Sequence, residues 1–156
     1  MKSKLDQNET QKLKNQICFP LYATSRLLQR LYHPLLEPFR LTYPQYIVLM
    51  ILWEDAPCPI SHVTERALLN TNTITPLLKR LEQQGHITRT RSSKDERVVI
   101  VSLTDLGRNL QGDLAHIPMQ LFASMGAKEE EMLRLKQQLD TLLAQLAQAS
   151  LKEYPY

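Results

Sequence analysis

Asn70-Thr-Asn-Thr-Ile-Thr-Pro-Leu-Leu-Lys-Arg-Leu-Glu-Gln-Gln-Gly-His-Ile-Thr-Arg89 is the stretch that decides the fold. It opens on short polar side chains that cap helices, continues with Leu77, Leu78 and Leu81 at helical spacing, and stops at Gly85, suited to a left-handed C-cap. A short helix, roughly His62 to Leu68 and capped by Ser61, precedes it. Two short helices joined by a tight polar turn make a helix-turn-helix. Directly afterwards, Ile87-Thr-Arg-Thr-Arg91 alternates at the period of a strand, and Val98-Val-Ile-Val-Ser102 is a β-branched run. The polar turn Ser92–Arg97 between them makes a two-stranded hairpin with a charged tip.

Upstream, Thr42 caps a helix from Gln45 to Glu54 with Pro44 in its first turn. This helix is apolar nearly all round (Tyr46, Ile47, Val48, Leu49, Met50, Ile51, Leu52, Trp53), which predicts burial among several neighbours. Asp55–Pro59 reads as a turn. Further upstream, Leu21, Leu27, Leu28, Leu31 and Leu35 give an apolar stripe to a helix over about Ile17–Glu37. Pro20 belongs near a helix start, so Asn15 or Gln16 is the expected cap and Cys18 falls in the first turn. Downstream, Thr104 caps a helix reaching about Ile117–Pro118, and a segment Met119–Met125 follows. The last helix, Glu129–Ala149, repeats Met132, Leu135, Leu139, Leu142 and Leu146 at steps of three and four, a seam for another helix. Tyr154–Tyr156 is expected to fray.

The predicted fold is mainly α with a small antiparallel β hairpin: a winged helix-turn-helix domain plus N- and C-terminal dimerisation helices. The whole chain, 1–156, is read as one domain, with a DNA-binding lobe over about 42–103 and dimerisation helices over about 15–38 and 104–150. At 156 residues and 43% hydrophobic content the chain is long enough for a core and too apolar for disorder. No apolar run approaches the ~20 residues that span a bilayer, and Met1–Lys14 lacks the apolar centre of a secretory signal, so no membrane association and a cytoplasmic location are expected. Cys18 and Cys58 are far apart, with no CxxC and no His at ligand spacing, so neither a metal site nor a disulfide framework is expected, and no cofactor.

The net charge is only +3, but its distribution is uneven. Lys79, Arg80, Arg89, Arg91, Lys94 and Arg97 face only Glu82, Asp95 and Glu96 over one helix and the hairpin, where phosphates would be met. Thr71, Asn72, Thr73 and Thr75 at the helix start suit base edges, and Lys94 or Arg97 at the hairpin tip can reach a minor groove.

The stretch from Asn70 to Arg89, followed by Asp95-Glu-Arg97 and Ser102-Leu-Thr-Asp-Leu-Gly107, resembles the MarR family of dimeric winged-helix regulators over nearly the whole chain. The resemblance implies that Thr71–Thr75 enter the major groove of double-stranded operator DNA. It also implies that Arg97, supported by Asp95, is the wing arginine of the minor groove. Where family members often carry Asp-Ser-Gly-Thr, this chain has Asn70-Thr-Asn-Thr73, which removes a negative charge and a glycine.

Cys18 lies in Ile17-Cys-Phe-Pro-Leu-Tyr-Ala-Thr-Ser-Arg26. A thiolate in a first helical turn is favoured by the positive end of the helix dipole, and the thiolate is the form peroxides oxidise. A lone cysteine is more often a small buried hydrophobe. Three tyrosines shift the balance: Tyr22 follows Cys18 by one turn, and Tyr32 and Tyr43 lie where the first helix ends and the second begins. Phenols can donate to a thiolate; tyrosines at helix ends also serve simply as amphipathic core-edge residues. Cys18-Phe-x-Leu-Tyr-Ala and Leu41-Thr-Tyr-Pro-Gln-Tyr46 resemble the organic-peroxide-sensing (OhrR) branch of the MarR family. That resemblance implies that Cys18 is the redox-sensing residue, hydrogen-bonded by Tyr32 and Tyr43 of the other subunit with Tyr22 nearby. Oxidation would move the helices at the dimer interface and release the DNA. With Cys58 ahead of the helix-turn-helix and no late cysteine, the chain resembles the one-cysteine type. Its oxidised Cys18 ends as a mixed disulfide with a small thiol or in an over-oxidised form, and Cys58 is a bystander.

Three readings follow. The first is a homodimeric repressor, not an enzyme, released from its operator when organic hydroperoxide oxidises Cys18. The second is a repressor of the same build released by a small phenolic or aromatic ligand, with Cys18 merely lining the pocket. The third is a thiol peroxidase, disfavoured because no thioredoxin-like strand order or resolving motif appears.

Overall fold

The structure, a computed structural model, describes residues 7–126 and 128–153. Tyr154–Tyr156 and Met1–Asp6 lie outside the described residues. The chain divides into two compact units, 1–115 and 116–156.

The first unit is built around one buried helix. After a short helix α1 (Gln7–Thr10) and a 3-10 turn at Leu13–Asn15 comes α2 (Cys18–Leu36), then a second 3-10 turn at Glu37–Phe39 and α3 (Tyr43–Asp55). A two-residue strand β1 (Cys58–Pro59) leads into α4 (Ile60–Ala67) and α5 (Thr71–Gln83), and β2 (Ile87–Arg91) and β3 (Val99–Leu103) precede α6 (Asp105–Leu114). Helix α3 packs against α2, α4, α5, α6 and β3, as an all-round apolar helix must. Tyr46, Val48, Leu49, Ile51 and Leu52 are buried there, and Ile74, Leu78 and Leu81 from α5, Val63 from α4 and Val101 from β3 close the core.

Thr42 starts α3 in extended conformation, and the Gln45 side-chain carbonyl accepts from its N–H (2.9 Å) and its hydroxyl (3.0 Å). Buried Gln45 then donates to Gln84 (3.4 Å), whose own amide donates to the Arg40 carbonyl (2.8 Å), tying the end of α5 to the approach to α3. Trp53 donates its indole N–H to the Gly107 carbonyl at 2.8 Å. Gly107 could carry nothing larger, because a Cβ there would stand 2.0 Å from the His86 carbonyl oxygen. That same carbonyl accepts the Thr104 N–H at 3.0 Å, so the junction of β2, β3 and α6 is closely fastened. Asp55 meets His62 at 2.8 Å and Arg66 at 3.5 Å, which holds α4 against the end of α3.

Several boundaries differ from the sequence expectation for physical reasons. The sheet has three antiparallel strands in the order β1-β3-β2, not two, because Cys58 and Pro59 pair with Val101 and Ile100. The supposed turn therefore contains a strand. Pro59, still extended, precedes the first turn of α4, so Ser61 lies inside that helix and not at its cap. Asn15 and Gln16 do not cap α2, which starts after Ile17 without a side-chain cap; their amides donate back to the carbonyls of Glu9 and Thr10. Helix α5 begins at Thr71, inside the polar cluster, with Pro76 within it. Helix α6 ends at Leu114.

The second unit holds α7 (Ile117–Met125, with Pro118 in its first turn) and α8 (Glu129–Glu153), which runs past Ala149. Along α8, Leu135, Leu139 and Leu146 are exposed and Met132 and Leu142 half-exposed, so the expected apolar seam is present and open.

Candidate nucleic-acid interface and thiol site

Helix α5 presents its amino end on a satisfied cap. Asn70 is extended (φ −81°, ψ 161°), and its side-chain oxygen accepts the Thr73 N–H and the Thr73 hydroxyl, each at 2.9 Å. Ile74, Leu78 and Leu81 turn inward, which leaves Thr71, Asn72, Thr73, Lys79 and Arg80 exposed. Thr75 is only half-exposed and donates its hydroxyl to the Thr71 carbonyl at 2.8 Å, which leaves its methyl and the acceptor side of the hydroxyl oxygen as what it can offer. The remaining free N–H groups of the first turn and the dipole favour a phosphate beside these side chains.

The wing tip is ordered by its own polar residues. The Ser92 N–H donates to the Val98 carbonyl (2.8 Å), the Val98 N–H to the Asp95 carbonyl (2.9 Å), and the Ser92 hydroxyl accepts the N–H groups of Lys94 and Asp95. Asp95 grips Arg97 with both oxygens, at 3.1 and 3.2 Å, and takes its backbone N–H at 3.0 Å. These Arg97 bonds hold the Asp95 carboxyl below the usual carboxylate range. The Arg97 side chain is nevertheless 91% exposed, so it is aimed without being buried. Arg91 donates to the Glu96 carbonyl at 3.3 Å. Arg89 plays a different part: it is forked onto Glu82 at 2.5 and 3.0 Å and locks β2 to α5, and its hydrogen bonds pull the Glu82 carboxyl down. Lys79, Arg80, Arg91, Lys94 and Arg97 remain as the outward cations of this face.

The thiol site is divided. Cys18 is the first residue of α2, exposed, with its Sγ 3.8 Å from the Gln16 side-chain oxygen. Tyr22, one turn on, is 63% exposed. Tyr32 sits near the other end of the same helix. Fourteen residues of helical rise separate it from Cys18, about 21 Å, so one chain does not bring them together. Tyr32 and Tyr43 do meet, with ring centroids 4.7 Å apart, and Tyr46 joins them at 5.8 Å from Tyr32. Tyr46 was legible only as a core residue; nothing in its spacing marked it as part of a phenol cluster. Burial, reinforced by Tyr43 and Tyr46, pushes the Tyr32 phenol up to about 12, and burial raises Tyr43 as well. These phenols therefore stay protonated, as hydrogen-bond donors, through neutral pH.

Cys58 is buried in β1, and burial followed by the Asp55 charge pushes its thiol up. It has neither the access nor the ionisation of a reactive thiol. Among the described residues no cluster of three or more His, Cys, Asp or Glu side chains is placed to hold a metal ion, and no helix is long and apolar enough to cross a membrane.

A capped recognition-type helix, a preceding short helix and a three-stranded wing define a winged helix-turn-helix protein. The family model described as transcriptional regulator SarA/Rot matches residues 30–114. The organic hydroperoxide resistance transcriptional regulator of Bacillus subtilis is 44% identical over 137 residues, covering 88% of this chain and 93% of that one. Reduced AbfR bound to DNA, a protein of Staphylococcus epidermidis, superposes with a TM-score of 0.72 at 36% identity, covering 90% of this chain and 98% of that one. Overoxidised AbfR bound to DNA gives 0.71, also at 36%, covering 89% and 98%. The chain belongs to the MarR family of winged-helix transcriptional regulators, and its likeness is to the organic-hydroperoxide branch.

Proposed function

We propose that this protein is a cytoplasmic homodimeric repressor, not an enzyme, that holds double-stranded operator DNA when reduced and releases it when an organic hydroperoxide oxidises Cys18. The observation that carries the reading is the division of the thiol site. An exposed cysteine at one end of α2 and a cluster of protonated phenols at the other end, about 21 Å apart on one helix, become one site when two copies of α2 run antiparallel about a two-fold axis. The exposed apolar side chains of α2, Phe19, Leu27 and Leu31 among them, and the exposed seam of α8 supply the surface for such a pairing. Residues 15–38 and 104–150 are then the dimerisation helices of a single 1–156 domain whose DNA-binding lobe spans about 42–103.

In this arrangement Tyr32 and Tyr43 of one subunit donate to the thiolate of the other, with Tyr22 alongside. Thr71, Asn72, Thr73 and Thr75 face base edges, Lys79, Arg80, Arg91 and Lys94 meet phosphates, and Arg97, steered by Asp95, enters the minor groove. Two such lobes read two half-sites. Relatives support two parts of the assignment: one is named for organic hydroperoxide resistance, and reduced AbfR has been seen bound to DNA.

The test uses a duplex selected by the reduced protein from a random pool. Cumene hydroperoxide should release wild type from it and leave Cys18→Ser bound. Equal release of both proteins would contradict the redox reading and favour a non-covalent ligand.

A further inference from the structure

Arg26, Arg30 and His33 follow one another on α2 at steps of four and three, which places them on one face of the helix. That face lines an open hollow of about 500 Å3, with Thr42, Tyr43 and Pro44 at the entry to α3 on its other side, and Arg26, Arg30 and His33 are all exposed. Among the described residues none of the three basic groups has a hydrogen bond or an ion pair, and Glu37, one turn beyond His33, does not reach them. Two like charges four residues apart on a helix repel. Among the described residues no acidic side chain pairs with either guanidinium, and an anion in the cavity would offset the repulsion.

The cavity shares Tyr43 with the phenol cluster. On the proposed function, from which this inference proceeds, Tyr43 touches the partner subunit's Cys18, so the basic cavity opens beside the reacting sulfur. We propose that the cavity binds the carboxylates of a low-molecular-weight thiol of net negative charge, the co-reactant that converts the sulfenic acid of the partner subunit's Cys18 into a mixed disulfide. Two guanidiniums and an imidazole are more than one carboxylate can satisfy, and bidentate pairing suits a thiol carrying two. A hydroperoxide with a plain hydrocarbon body would leave the guanidiniums covered and unpaired.

The chemistry balances. The Cys18 thiolate attacks the outer oxygen of the hydroperoxide; the O–O bond breaks, and the alkoxide takes a proton and leaves as an alcohol, giving Cys18–S–OH. The incoming thiolate then attacks that sulfur. The S–S bond forms as the S–O bond breaks, and the hydroxide leaves as water with the proton the thiol gave up. The anionic ends of the thiol stay on Arg26 and Arg30 throughout.

The full-length protein is oxidised with one equivalent of cumene hydroperoxide, and mixed-disulfide formation is timed by mass spectrometry with glutathione (two carboxylates), 2-mercaptoethanol (neutral) or cysteamine (cationic). Per unit of thiolate, glutathione should outpace 2-mercaptoethanol by about tenfold or more at low salt, cysteamine should be slowest, and added salt should erase the difference. The double variant Arg26→Gln/Arg30→Gln should lose about tenfold with glutathione and keep its rate with 2-mercaptoethanol, which also shows that it is folded. Rates that ignore thiol charge, or a variant that slows both thiols equally or neither, would overturn the inference while leaving the redox reading in place. If dimedone traps no sulfenic acid on Cys18, the redox reading fails and this inference with it.

Discussion

The candidate DNA-binding face and the candidate thiol site are built in opposite ways. The first is complete within one chain: Asn70 caps α5, Asp95 aims Arg97, and Glu82 with Arg89 fixes the wing to the helix. Each of these partners is within a few residues in sequence. The second is unfinished in one chain, with Cys18 exposed at the start of α2 and its candidate donors Tyr32 and Tyr43 clustered near the other end of that helix. A reader of DNA gains from rigid local geometry. On the proposed function the two parts meet only where two subunits do, and a change at the sulfur would then be a change at the interface that sets the spacing of the two lobes.

The comparison can be broken first on the DNA side. Leu78 is fully buried in α5, so Leu78→Ala should cost about 3 kcal/mol in denaturant unfolding and carry operator affinity down with it. A loss under 1 kcal/mol, on the order of an exposed substitution, would show that α5 is not seated as described.

A smaller effect separates the two regions. Arg97→Ala should weaken operator binding by about 2 kcal/mol and reduce the salt slope by about one, with the rate of Cys18 oxidation unchanged. Parallel loss of both would mean that the wing and the thiol are not independent.

The smallest concerns the phenols. Tyr32 is held near 12 against an ordinary 10.0, so its protonated form is favoured in the fold. That contribution to stability is complete below pH 10 and is lost as pH rises toward 12. Tyr32→Phe should delete the last phenolate step from an absorbance titration of the folded protein and slow Cys18 oxidation about tenfold, the worth of a hydrogen bond to a charged group. A titration that keeps its last step would place the perturbed phenol elsewhere.

What the sequence shows follows the same division. The caps Thr42 and Thr104, the stop at Gly85 and the two longer strands of the wing are local features; the caps, the stop and β2 stand where spacing put them, and β3 lies one residue later, at Val99–Leu103. Strand β1 was hidden because two residues, one a proline, carry no periodicity; only its pairing with β3 makes it a strand. The amides of Asn15 and Gln16 looked like caps because composition says which groups a residue offers, not which way they turn. Arg89 counted as one more surface charge until Glu82 was seen beside it. Cys18 and the tyrosines were legible by position, but their pairing across subunits only as a resemblance, since helical rise alone forbids Cys18 and Tyr32 to meet in one chain.

The account stands or falls on whether Cys18 of one subunit uses the tyrosines of the other. A dimer assembled from one Cys18→Ser subunit and one Tyr32→Phe/Tyr43→Phe subunit, separated by different tags, decides it. Its one remaining Cys18 sits on the tyrosine-deficient chain and faces intact phenols only across the interface, while the buried Cys58 thiols are the same in every dimer compared. That Cys18 should react with cumene hydroperoxide at the wild-type rate; reaction at the slow rate of the Tyr32→Phe/Tyr43→Phe homodimer would contradict a site shared between subunits.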